Sequence, residues 1–198
     1  MRSTAAPSYP DRVDVIFERT GERRYAVVIA GPGGATRRMD PAPGYDEHIP
    51  HDLVHYLAEA ELGLASGVFG RAAAGGGGFV PAGETAGAPR ERARAQRKLR
   101  RKEAALRRSG HEDMATSERI AGVADVAWRR RAGARTPEWA AGRPLSHEDE
   151  ARVRRILPHL DRAAALWHEV PVGGSLAFTW PSTAPAARRA PSSADASG

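Results

Sequence analysis

Three of the seven histidines fall within eight residues, His48-Ile49-Pro50-His51-Asp52-Leu53-Val54-His55. Neutral imidazole is the commonest side-chain ligand for metal ions. On a helix, His51 and His55 lie one turn apart on the same face. Both can then reach one divalent ion at roughly 2.0–2.1 Å, which is why the HExxH zinc motif has this spacing. Here the motif reads HDxxH, with Asp52 in the place of the glutamate. Being one methylene shorter, Asp52 reaches a metal-bound water less easily, so its expected role is ligand or weak catalytic base. Two nitrogens need a third donor. The local candidates are Asp46, His48, Glu59 and Glu61. Glu59 pairs with His55 at i+4 but lies about 12 Å along the helix axis from His51. Zinc is the first expectation for imidazole ligands, and metal-assisted hydrolysis or hydration is the expected class if the site is catalytic. The plainer alternative is a pair of solvated or hydrogen-bonded histidines, with Asp52 favouring the helix dipole. His111, His147, His159 and His168 are scattered.

The elements that must carry this cluster follow from hydrophobic period. Val13, Val15 and Phe17 alternate with Asp14, Ile16 and Glu18, the pattern of a strand. A turn at Thr20–Arg23 leads to a second strand over Tyr25–Ala30. Gly31-Pro32-Gly33-Gly34 makes the next turn, and Ala35–Met39 a short third strand. That glycine run lacks both the spacing of a phosphate loop and a following helix. A helix then begins near Pro50 and runs to about Leu62, with Gly63 as its stop. Leu53, Leu57, Ala60 and Leu64 form its core stripe. Gly75 to Pro89, opening with four glycines, reads as a flexible loop. Ile120, Val123, Ala124, Ala127 and Trp128 mark a second amphipathic helix ended by Gly133. Ser146 with Asp149 opens a third, carrying Val153, Ile156, Leu157, Leu160, Ala164 and Trp167. Leu176, Phe178 and Trp180 alternate as a last strand. The expected fold is α+β: a small antiparallel sheet of three N-terminal strands and one C-terminal strand, with helices packed on one face. Residues 11–181 form the expected single domain, and residues 1–10 and 182–198 are expected to be disordered tails.

Composition narrows the function classes. The 198 residues contain no cysteine, which excludes a disulfide scaffold, a Cys-ligated zinc finger, an iron–sulfur site and a thiol nucleophile. Leu, Ile, Val and Phe make up about 16% of the chain, few enough that unstructured segments are expected beside a small core. No apolar run approaches the ~18 residues of a membrane span, and no signal peptide is evident, so a soluble cytoplasmic protein without a membrane partner is the expectation. The net charge is +6, but it is not spread evenly. From Arg90 to Arg108 ten basic and two acidic residues give +8, leaving −2 for the remainder. This segment reads as a basic helix or a linker. Its Arg94, Arg97, Lys98, Arg100, Arg101 and Lys102 form the alternative centre of function, a nucleic-acid-binding surface. Such a surface would act through salt-dependent phosphate contacts, since no aromatic residue is present to stack on bases. A structural or interaction protein with no active site is the third class.

Two resemblances bear on the histidine cluster. The stretch Pro50-His51-Asp52-Leu53-Val54-His55, then Glu59, Glu61-Leu62-Gly63-Leu64 and Gly67-Val68-Phe69-Gly70, resembles a signature recurring in small uncharacterised proteins of high-GC bacteria. It spans 21 of the 198 residues. The five-residue HDxxH is also similar to the metal-site motif of the coenzyme Q assembly protein 4 family. That resemblance implies His51, Asp52 and His55 as ligands. The family's pattern goes on to a glutamate where this chain has Ser66, Gly67 and Val68, so the likeness ends at five residues.

Overall fold

The computed structural model describes residues 12–76, 78–81, 110–136 and 145–186, and four single positions, Arg94, Arg97, Arg101 and Ala104. The fold is α+β. Its sheet is built from β1 (Asp14–Gly21), β2 (Arg24–Ala30), β3 (Thr36–Met39), β4 (Val80–Pro81) and β5 (Ser175–Thr179), in the order β4-β3-β2-β1-β5, with every pairing antiparallel. The three opening strands form a meander, and β5 returns to the free edge of β1, placing Val15 opposite Phe178 and Phe17 opposite Leu176. The return is driven by matched alternation. Val15, Phe17, Leu176 and Phe178 all point to the buried face, where a one-residue slip would turn them outward.

The helices around the core are α1 (His51–Leu62), α2 (Val68–Ala73), α3 (His111–Ala132) and α4 (His147–His168). They pack on one face of the sheet over a shared core. Tyr56 of α1 is at its centre, with ring contacts to Phe17 (6.0 Å), Phe69 (5.3 Å) and Phe178 (4.9 Å). Around it lie Leu53 and Leu57 of α1, Ile120 and Ala124 of α3, and Ile156, Leu160 and Trp167 of α4. On the opposite face Ile16, Val28 and Ala177, with Ala30 and Ala186 packed beside them, form a small separate cluster.

Several boundaries differ from the sequence expectation. Val68–Ala73 is a helix, too short to show a helical period of its own. Val80–Pro81, inside the stretch expected to be a loop, pairs with β3 through Arg38 and Arg37. α3 begins nine residues before its apolar stripe at Ile120, because Gly110 takes the N-cap position and Glu112 and Asp113 fill the first turn. Beyond residue 181 the chain folds back on β5, with Ala186 N–H donating to Ala177 O at 2.6 Å and Tyr56 Oη donating to Ser182 O at 2.8 Å. Those bonds tie residues 182 and 186, expected to belong to a disordered tail, to the core and the sheet. Residues 1–11, 82–90 and 187–198 lie outside the described residues, as do Lys98, Arg100 and Lys102. Among the described residues no helix is long and apolar enough to cross a membrane.

α4 opens as its sequence dictates. Ser146 Oγ accepts from Asp149 N–H at 3.1 Å, and the Asp149 side chain accepts from Arg152 (3.3 Å) and from Arg119 of α3. Burial pushes the Asp149 carboxyl up, but the bonds from Arg119, Ser146 and Arg152 outweigh it and hold the group below the usual carboxylate range. A carboxyl lowered by folding stabilises the fold above its unfolded pKa of about 3.9, and that contribution is lost as pH falls through the lowered value. Asp149→Asn is therefore expected to lower the urea midpoint at pH 7 and to lower it by less at pH 3. An equal loss at both would mean that packing, not charge, is responsible.

Candidate metal centre

α1 is covered on several sides, so its polar residues are buried with its apolar ones. Asp52, His55 and Glu59 fall at i, i+3 and i+7 and form one buried polar stripe, their residues 9%, 4% and 0% exposed. A buried polar stripe must find partners. It finds them on α2, α3 and β2.

Glu59 is the most completely engaged. Its Oε1 accepts from Val68 N–H (2.7 Å) and Ser117 Oγ (2.6 Å), and its Oε2 from Phe69 N–H (2.8 Å) and Gly70 N–H (3.4 Å). The carboxyl thus closes the N-terminus of α2, where backbone N–H groups have no helical acceptor. Gly67 is required by this close approach, since a Cβ there would lie 2.3 Å from the Glu59 carboxyl carbon. The spacing between Glu59 and Gly67-Val68-Phe69-Gly70 is accounted for by this contact. Burial pushes the Glu59 carboxyl up, against the lowering effect of these same bonds.

Ser117 carries the network to His55. Its Oγ stands 3.0 Å from His55 Nδ1. A hydroxyl has one proton, and the 2.6 Å bond to Glu59 uses it, so Ser117 accepts from His55 Nδ1–H. His55 Nε2 is then the nitrogen with a lone pair. It lies 3.1 Å from His51 Nε2, with the rings nearly perpendicular at 83°. Burial lowers His55 to about 4, with His51 a second cause, so its imidazole is neutral at pH 7. The third group at this point is Glu118, whose Oε2 lies 3.7 Å from His55 Nε2 and whose side chain is 62% exposed. His51 is exposed as well. The cluster therefore has a buried wall at His55 and an open side at His51 and Glu118.

The other expected residues are placed elsewhere. Asp52 Oδ2 lies 2.7 Å from Tyr25 Oη, which also donates to Pro43 O. One hydroxyl proton cannot serve both acceptors, and a protonated Asp52 would supply the second. Burial, the largest effect, does push the Asp52 carboxyl up. Asp46 accepts from His48 N–H (2.9 Å) and Ile49 N–H (3.3 Å) and pairs with Arg129 (3.0 Å), which fixes the entry to α1. His48 faces Glu47 at 3.6 Å and the Trp128 ring at 6.2 Å. Glu61 is bonded to Arg155 and His159. Asp46, Glu59 and Glu61 are thus each bonded away from the His51–His55 gap, and His48 stands beside Glu47 and Trp128. Among the described residues no three His, Asp or Glu side chains are already gathered as a ligand set. Of the basic segment, Arg94, Arg97 and Arg101 are helical and exposed, at the i, i+3, i+7 spacing of one face.

Sequence reasoning missed Ser117 and Glu118. Ser117 lies three residues before Ile120, in line with Ile120, Ala121, Ala124 and Trp128. A polar residue on an apolar stripe was the available signal. Compared with known proteins, the chain matches no family model, no curated protein and no solved structure.

Proposed function

We propose that His51 and His55 form a divalent-metal site, with zinc as the favoured ion. The observation that carries this is the 3.1 Å between the two Nε2 atoms. Two nitrogens each roughly 2.0–2.1 Å from one tetrahedral ion stand about 3.3 Å apart, so small adjustments admit an ion. Three further features support it. His55 is neutral, as a ligand must be. His55 Nδ1 is bonded to Ser117, which leaves Nε2 for the ion. Glu118, on an exposed side chain 3.7 Å away, is placed to supply a carboxylate by rotation. Two imidazoles and one carboxylate leave a fourth position open, the arrangement of catalytic rather than structural zinc. A bound ion would supply Lewis acidity and water activation, consistent with hydrolysis or hydration. Asp52 is assigned the contact with Tyr25 in place of a ligand or base role.

Elemental analysis of the purified full chain, beside the His51→Ala/His55→Ala double variant, tests this reading. About one equivalent of metal is expected in the wild type and a negligible amount in the variant. Equal, negligible metal in both would refute it.

A further inference from the structure

Resting on that metal reading, we propose that Ser117 and Glu59 are positioning residues of the centre: Glu59 holds the Ser117 proton, and Ser117 in turn holds His55 in the Nδ1–H form, so that its Nε2 lone pair always faces His51. Neither residue would touch the ion. The argument is one of proton counting along a buried chain. Glu59 accepts three backbone N–H bonds, from Val68, Phe69 and Gly70, so its oxygens face donors only. While Glu59 is ionised, the form that its four donors favour, it can only accept, and Ser117 donates to it across 2.6 Å. With its proton committed, Ser117 can only accept from His55, across 3.0 Å. Both Glu59 and Ser117 are fully buried, out of reach of bulk solvent. The neutral imidazole has one N–H, and this chain assigns it to Nδ1.

The consequence is energetic as well as geometric. A free neutral imidazole divides its population between two tautomers and rotates about its side-chain bonds. Here both freedoms are removed before any ion arrives. Outer-shell partners of this kind typically change metal affinity by roughly 10- to 100-fold when removed. The arrangement also explains why Glu59, four residues beyond His55 in the cluster, is bonded to α2 and Ser117 instead of ligating. Its backbone bonds at the start of α2 are what force the direction of the Ser117 proton. Glu59→Gln would reverse that direction. An amide nitrogen at the Oε1 position clashes with one backbone N–H, against two at Oε2, so it would settle beside Ser117 and donate to it. Ser117 would then donate to His55 Nδ1 and move the imidazole proton to Nε2.

The test uses the full chain, stripped of metal, in two measurements. Long-range proton–nitrogen correlation spectra report the His55 tautomer directly. The wild type is expected to show the Nδ1–H form alone, Ser117→Ala a mixture, and Glu59→Gln mainly Nε2–H. A cobalt(II) titration followed by visible absorption then reports affinity, with Ser117→Ala expected to bind roughly 10- to 100-fold more weakly than wild type. A wild-type His55 in the Nε2–H form would overturn the proposal whatever the variants do. Equal cobalt affinity in the wild type and a folded Ser117→Ala would overturn it too, while leaving the metal site standing. No cobalt binding by the wild type would instead remove the metal reading itself, and the positioning role with it.

Discussion

Replacing Glu59 with alanine is expected to lower stability by about 4 kcal/mol, a large share of the 5–15 kcal/mol typical of a domain. The carboxylate is the acceptor for Val68, Phe69 and Gly70 N–H and for the Ser117 hydroxyl. Alanine leaves these donors buried, and each unsatisfied group costs roughly 1–3 kcal/mol. Relief of the carboxylate's own desolvation offsets part of that sum. Water entering the space where the carboxylate stood offsets some more. The net loss should appear as a lower urea midpoint with an unchanged slope. Glu59→Gln keeps the side chain's volume and one acceptor oxygen, so its loss should be smaller. A loss below about 1 kcal/mol for Glu59→Ala would show that α2 does not depend on this carboxylate. The same substitution frees the Ser117 proton, so metal affinity should fall with stability. Ser117→Ala is expected to separate the two effects, because it touches none of the backbone N–H groups of α2.

The fold was legible where a period of two or 3.6 runs long enough to be read. Val15 and Phe17 in β1, and Leu176 and Phe178 in β5, announce both strands and the face they share. Pro50 at the N-cap and Gly63 in the left-handed conformation at the C-cap bound α1 where the sequence places them. The site was half legible. Local spacing brings His51 and His55 together because both belong to one helix. Ser117 and Glu118 come from α3, more than 60 residues away, and a distance of that kind is set by packing alone. Glu59 shows the limit of spacing arguments in another way. Its position relative to His55 suits a ligand, yet the nearby start of α2 offers a row of unpaired N–H donors. A buried carboxylate goes to the strongest donor set within reach, and here that set is backbone.

The central claim is that His51 and His55 together hold one divalent ion, and its second large effect is the complete loss of binding when either is removed. The two nitrogens are 3.1 Å apart on a single rigid helix, so neither can be replaced by a neighbour. Asp46 and Glu59 are each held by other partners, and His48 stands beside Glu47 and Trp128. Calorimetric titration of zinc into the metal-stripped full chain is the most direct measurement. The account predicts a single site of stoichiometry near one in the wild type, absent in both His51→Ala and His55→Ala. Titration curves that are the same for all three proteins, whether they show binding or none, would contradict it.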